Sequence, residues 1–169
     1  MAQFVEDKDT TTSCIQAFAS QVDISRLIFP PLNSDIYTLL KDVSSSGLTP
    51  VSWDLLSKVI AAMIVKVVRE FEEKYGFKGP ITQTCESRLG DILHLLNGFD
   101  NAPFTIQRLV ELLLEPSTQY TSTYKLMNGL ERILSVTSTI DTYAEVHYQE
   151  QSNYVMGSYI MDVEYDFQN

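Results

Sequence analysis

The sequence predicts a mainly α-helical protein: a compact domain of about five or six helices, followed by a short β or extended C-terminal segment. The chain has 169 residues, 44% of them hydrophobic and 20% charged, which suits one soluble domain with its own core. Apolar residues recur at intervals of three and four through most of residues 34–134, as they do on the buried face of a helix. The connections between these segments are short, so successive helices should pack as neighbours. The expected division is a helical domain at 1–138 and a separate segment at 139–169.

The first two helices are predicted from modest patterns. Residues 1–29 carry a weak helical face that includes Ile15 and Phe18, and the Pro30-Pro31 pair should end it. Ser34 then looks like the N-cap of a second helix, because an apolar residue follows at every third or fourth position up to Val43. The Ser44–Gly47 segment should end this helix.

The longest helical pattern lies at the centre of the domain. Either Thr49, with Pro50 at the first helical position, or Ser52 should begin it, and Gly76 is the expected stop. Its apolar face is wide enough to imply neighbours on more than one side. That face consists of Leu55, Leu56, Val59, Ile60, Met63, Ile64, Val67, Val68 and Phe71.

Three shorter helices complete the predicted domain. Thr84 should cap the first, which ends at Asn97-Gly98; the second runs from Thr105 to Glu115 and stops at Pro116; the third runs from about Ser122 to Leu134. With Thr105 as the N-cap of the second helix, Phe104 and Leu109 would form a hydrophobic staple.

Residues 139–169 differ in charge and in period. They hold six acidic residues and no Lys or Arg, and from Ser158 apolar and acidic residues alternate. A period of two predicts either a strand paired with the helical body or an extended peptide that docks on a basic partner groove.

Charge and hydropathy disfavour two classes of function. The net charge of −10 repels phosphate backbones, so nucleic-acid binding is not expected. The longest apolar run, from Val59 to Val68, is too short to cross a membrane, and the N-terminal residues lack the pattern of a signal peptide.

Local motifs for catalysis or metal binding are missing from the sequence. His94 and His147 stand in no motif with a nucleophile or an acid, and Cys14 and Cys85 form no CxxC pair. We therefore predict no enzyme activity, no cofactor, no catalytic residue and no metal site, and two reduced thiols.

One segment resembles a known family. The stretch PFTIQRL-x-ELL-x-x-P-x-x-x-Y, from Pro103 to Tyr120, is similar to the regulatory subunit 2 family of serine/threonine protein phosphatase 4, and the resemblance covers about residues 34–138. It implies a non-catalytic subunit that binds the phosphatase 4 catalytic subunit and a second, larger regulatory subunit. It also implies action in the nucleus and cytoplasm, including the centrosome, in DNA-damage recovery. No nucleic acid or membrane is implied as a partner.

The residues expected to contact partners lie mostly in this segment. A polar face beside an apolar stripe suggests a helix that packs its core face in the domain and offers a flank to a partner. The interpretation as an ordinary core helix stays open. The candidate residues are Trp53, Phe104, Gln107, Arg108, Glu111, Leu112, Glu115 and Tyr120.

Two alternative classes remain. Three helices between Thr84 and Leu134, followed by a strand at Ser135–Thr139, would match a winged-helix-like C-terminal half that binds protein or nucleic acid. A helical enzyme without local motifs is the third class.

Overall fold

The computed structural model describes residues 3–140, with side chains from Thr12 onward. This part of the chain contains six α-helices and almost no strand, which confirms the mainly α fold class. The predicted boundary at residue 138 lies close to the end of the described residues and stays a prediction. The helices are α1 (Gln3–Gln21), α2 (Ser34–Ser46), α3 (Trp53–Tyr75), α4 (Cys85–Asn97), α5 (Ile106–Leu114) and α6 (Thr123–Leu134), with a short 3₁₀ turn (Pro116–Thr118) between α5 and α6.

Helix α3 is the centre of the core, as its wide apolar face predicts. It contacts α1, α4, α5 and α6, while α2 packs on α5 and α4 packs on α6. Eleven of its residues are buried, from Leu56 to Phe71, and they point in all directions around the helix axis. Burial of apolar surface against four neighbours therefore holds this helix in place.

The helix ends agree with the sequence at two positions. Thr84 caps α4, since its hydroxyl accepts a hydrogen bond from the Ser87 backbone N–H at 3.1 Å. Gly76 ends α3 with a φ of 67°, a conformation that favours glycine. Ser52 is the N-cap of α3, which decides between the two starts left open by the sequence.

The predicted cap of α2 is wrong by one residue. Asn33 is the N-cap, and its side-chain oxygen accepts a hydrogen bond from the Ile36 N–H at 3.0 Å. Ser34 is the first residue inside the helix. Asparagine and serine cap helices about equally well, so two adjacent candidates could not be separated by residue type.

A buried arginine joins α4 to α6. Arg88 is 7% exposed, and its guanidinium donates to Glu131 Oε2 at 2.6 Å and to Asn128 Oδ1 at 2.8 Å. It also donates to Gln83 Oε1 at 3.3 Å and lies over the ring of Tyr124. A cation this deeply buried is stable only with partners, and Arg88 has several.

The segment after α6 returns to the start of α5. The Phe104 N–H donates to the Ser138 carbonyl at 3.1 Å, and the Ile140 N–H donates to the Ala102 carbonyl at 2.8 Å. This antiparallel pairing is a single bridge between Pro103 and Thr139. Residues 3–140 contain no β-hairpin wing after α6, and residues 141–169 lie outside the described residues, so the winged-helix-like alternative stays a prediction.

The two cysteines lie apart. Cys85 is buried, with its Sγ 3.9 Å from the sulfur of Met127, and burial together with the nearby Glu72 raises its pKa to about 12. Its thiol therefore stays protonated and unreactive at neutral pH. Cys14 is partly exposed and is not in a disulfide bond.

Candidate partner-binding surface

The inward face of α5 is wider than the sequence analysis assumed. Five of its nine residues are buried: Ile106, Leu109, Val110, Leu112 and Leu113. Leu112 is 1% exposed, so almost all of its side chain packs inside the domain, and its part in partner contact stays a prediction. The physical reason is that α5 has neighbours on several sides, because it packs against α2, α3 and α6.

Gln107 has a partner inside the domain. Its side-chain N–H donates to the Ser44 carbonyl at 2.9 Å and to the Ser45 carbonyl at 3.5 Å. Carbonyl groups at a helix C-terminus lack partners within the helix, and the last turn of α2 has no basic residue. Gln107 therefore caps α2, and its side chain also lies against Gly47, whose φ is 71°.

We expect Gln107→Leu to lower the free energy of unfolding by about 1 kcal/mol, because it removes one cap and leaves a partly buried carbonyl without a partner. Urea denaturation measures this change. Gln119→Leu is the matched control, since among residues 12–140 the Gln119 side chain bonds only to the exposed Arg108, and it should cost less than about 0.5 kcal/mol. Equal effects of the two substitutions would contradict a capping role for Gln107.

The predicted staple at the start of α5 does not form as expected. Thr105 occupies the N-cap position but makes no side-chain cap; its hydroxyl donates to the Ile133 carbonyl of α6 at 3.0 Å. Phe104 is 53% exposed, whereas Leu109 is fully buried. Contact with α6 has replaced local capping here, and Phe104 remains an exposed aromatic side chain.

Trp53 stands at the first position of α3. Its indole N–H donates to the Phe99 carbonyl at 2.8 Å, which ties α3 to the loop after α4. The ring is half-buried and packs against the core. These contacts lie within the domain, and a role of Trp53 in partner contact stays a prediction.

Arg108 and Glu111 do lie on that outer face. Their side chains form an ion pair at 3.2 Å, and both are about half exposed. Arg108 also donates to the Gln119 side chain, beyond the 3₁₀ turn. Exposed pairs of this kind contribute little to stability, so the fold does not require Arg108. Glu115, at the end of α5, is exposed as well.

A cleft of about 340 Å³ runs between α5 and α6 beside this face. Arg108 and Tyr120 line it, as does part of Leu112, so the structure brings together three of the candidate residues. Trp53 and Gln107 are not among its lining residues. The others that line it are Gln119, Lys125, Asn128, Gly129, Arg132 and Ile133.

Tyr120 forms one wall of the cleft by lying against α6. A Cβ added at Gly129 would come 2.8 Å from Cζ of the Tyr120 ring and closer still to its hydroxyl oxygen. Glycine at position 129 therefore allows the ring to approach the α6 backbone. The Tyr120 N–H donates to the Pro116 carbonyl at 3.0 Å, so the 3₁₀ turn fixes the backbone from which the ring projects.

Lys125 and Arg132 are cleft residues that the sequence analysis missed. Both are exposed, and neither has a hydrogen-bond or ion-pair partner among residues 12–140. Their spacing of seven residues places them on the same face of α6, and this periodicity was available in the sequence. What the sequence did not supply was the position of α5, which brings Arg108 to the same cleft.

No catalytic or metal centre emerges from the described side chains. His94 is exposed near the end of α4, and His147 lies outside the described residues. Among residues 12–140, no three His, Cys, Asp or Glu side chains are grouped as metal ligands would be. In the same part of the chain, each helix is too short or too polar to span a bilayer.

Comparison with known proteins assigns a family. The family model described as PPP4R2 matches residues 32–169. The chain belongs to the protein phosphatase 4 regulatory subunit 2 family. The match begins just before α2 and includes the PFTIQRL segment, which confirms the resemblance noted from the sequence.

Three relatives show how the similarity is distributed. Each is a serine/threonine-protein phosphatase 4 regulatory subunit 2. The Drosophila melanogaster protein is 28% identical over 144 residues, covering 81% of this chain and 23% of the relative. The Danio rerio 2-A protein is 33% identical over 107 residues, which cover 60% of this chain and 26% of the relative. The Homo sapiens protein is 31% identical over 121 residues, which cover 68% of this chain and 29% of the relative.

The chain spans about a quarter to a third of the length of the curated relatives it matches. No solved structure matches it.

Proposed function

We propose that this member of the protein phosphatase 4 regulatory subunit 2 family is a non-catalytic scaffold. It binds the phosphatase 4 catalytic subunit and a larger regulatory subunit, and so directs dephosphorylation. The proposed setting is the nucleus and cytoplasm, including the centrosome, with DNA-damage recovery as the process served. In this proposal the metal ions and the catalytic residues belong to the partner.

The observation that carries the proposal is the family match across residues 32–169, which contains α2 to α6 and the whole α5–α6 face. On that face Arg108, Glu111, Glu115 and Tyr120 are at least partly accessible, and Phe104 is exposed near the start of α5. Such a mixture of charged side chains and accessible aromatic rings is suited to protein recognition, in which charge sets orientation and on-rate. We therefore place the docking surface there.

The substitution Arg108→Glu separates docking from folding. Because Arg108 is half exposed, we expect a loss of less than about 1 kcal/mol in the free energy of unfolding. We expect capture of at least one purified phosphatase subunit to weaken by about tenfold or more, since a negative charge would face the partner's acidic groups. Thermal unfolding and quantitative pull-down of each subunit measure the two effects.

Lys41→Glu is the matched control for this experiment. Lys41 is an exposed lysine of α2 and has no ion pair among the described residues. Its substitution by Glu changes the net charge by the same amount as Arg108→Glu does. Parent-like capture by the Lys41→Glu protein is expected. Failure of the parent chain to capture either phosphatase subunit would contradict the proposed function. Parent-like capture by the Arg108→Glu protein would mean that the docking surface does not include Arg108.

A further inference from the structure

The α5–α6 cleft collects positive charge in an acidic chain. The net charge of the protein is −10, yet Arg108, Lys125 and Arg132 all line this one cleft, and no carboxylate of the described residues lines it with them. Glu111 contacts Arg108 from the side. Three cations against one neighbouring carboxylate leave the cleft with excess positive charge.

Two of these cations have no hydrogen-bond or ion-pair partner in the described part of the chain. Arg88, which joins α4 to α6, is held by Glu131, Asn128 and Gln83, whereas Lys125 and Arg132 lack such partners among residues 12–140. Like charges held near one another repel, and an incoming anion would relieve that repulsion. Guanidinium groups also bind carboxylates in a two-point geometry that an ammonium cannot reproduce.

Part of the cleft lining is apolar. Leu112 and Ile133 are among its lining residues, and the Tyr120 ring forms a wall over Gly129. A simple inorganic anion would leave this surface uncovered. A peptide in which apolar side chains accompany acidic ones would cover the apolar part and pair with the basic side chains.

We infer that this cleft binds an acidic peptide segment, with apolar or aromatic side chains among its carboxylates, from a partner subunit of the phosphatase complex. The inference rests on the proposed function and adds Lys125 and Arg132 as recognition residues. Arg108 sits at the α5 edge and pairs with a partner carboxylate in exchange for Glu111. Tyr120 and Ile133 receive the apolar side chains.

A peptide probe tests the chemistry of the cleft. Fluorescence anisotropy on the full chain would use a fluorescein-labelled dodecapeptide in which Glu alternates with Leu and Tyr, and a second peptide with Gln in place of Glu. We expect the acidic peptide to bind at least about twentyfold more tightly than the Gln peptide at low salt, and this difference to shrink as salt rises. Equal affinity for the two peptides would overturn the inference.

The decisive variant is the Lys125→Glu, Arg132→Glu double substitution, and Lys41→Glu, Lys78→Glu is its charge-matched control. All four side chains are exposed, so circular dichroism melting should report parent-like folding for both proteins. We expect the cleft variant to lose at least about twentyfold in affinity for the acidic peptide and the control to stay within threefold. If both variants lost affinity for the acidic peptide equally, the loss would be due to net charge alone, and the inference would be overturned.

The chain's own acidic segment is the competing occupant. Neutralising Asp162, Glu164 and Asp166 to Asn, Gln and Asn in the full chain tests this, and we expect probe affinity to stay within twofold of the parent. Probe binding that tightens fivefold or more would assign the cleft to residues of the same chain and overturn the choice of a partner segment.

Capture of the purified phosphatase subunits separates this inference from the proposed function. If the parent captures them and the Lys125→Glu, Arg132→Glu protein captures them about twentyfold more weakly, the inference is supported. If the cleft variant captures them as the parent does, the inference fails and the proposed function stands. If the parent captures neither, the proposed function itself fails.

Discussion

The Met63→Asp protein should not fold. Met63 lies in the middle of α3 and is 3% exposed, so an aspartate there would be buried without a partner. The lost apolar burial and the buried carboxylate together should remove about 4–5 kcal/mol or more, which approaches the whole stability of a typical domain. Loss of the cooperative thermal transition in circular dichroism would show it.

Two variants of α3 control for that result. Lys66→Asp places the same residue at an exposed position of the helix, where it breaks the exposed pair with Glu70 and the interaction with Tyr37, and should cost about 1 kcal/mol. Met63→Leu keeps an apolar side chain of similar volume and should cost less than about 1.5 kcal/mol. A Met63→Asp protein that melts cooperatively near the parent temperature would contradict the central position of α3.

Glu131→Leu should be the most damaging substitution at a half-exposed position of α6. Glu131 is 46% exposed by side chain, but its carboxylate pairs at 2.6 Å with the guanidinium of Arg88, which is almost fully buried. Its removal leaves a buried cation with neutral partners only, and we expect a loss of about 2–3 kcal/mol in the free energy of unfolding. Urea denaturation provides the measurement.

A double-mutant cycle isolates the interaction. Arg88→Met removes the buried charge and leaves Glu131 able to contact water, so the Arg88→Met, Glu131→Leu protein should be more stable than the sum of the single effects predicts. Glu131→Gln, which can still accept a hydrogen bond, should cost less than Glu131→Leu. Strict additivity of the two single substitutions would mean that Arg88 and Glu131 do not stabilise one another.

The helices were predictable because their signal is local. Apolar residues spaced by three and four mark the buried faces of α2 to α6, and Pro116 and Gly76 mark ends by their backbone constraints. Helix caps were less predictable. Asn33 and Ser34 are both good caps, and only the fold shows that Asn33 holds the Ile36 N–H.

The candidate surface was harder to predict because its geometry depends on distant residues. Gln107 was expected to face a partner, but the C-terminus of α2, 62 and 63 residues away in sequence, uses its amide. Leu112 was expected at a flank, but α5 packs against several helices and buries it. The meeting of Arg108 with Lys125 and Arg132 likewise depends on how α5 packs on α6, which no local period encodes.

Hydrogen–deuterium exchange on the assembled complex tests the docking surface most directly. The segment between α5 and α6, residues 115–122, contains the 3₁₀ turn and Tyr120, and its backbone amides adjoin the cleft. We expect these amides to exchange at least about fivefold more slowly when the catalytic and larger regulatory subunits of phosphatase 4 are bound, because a docked partner suppresses local opening. The loop at residues 22–33, in another part of the fold, should exchange as in the free chain. Unchanged exchange at 115–122 in a complex that contains both subunits would contradict the account.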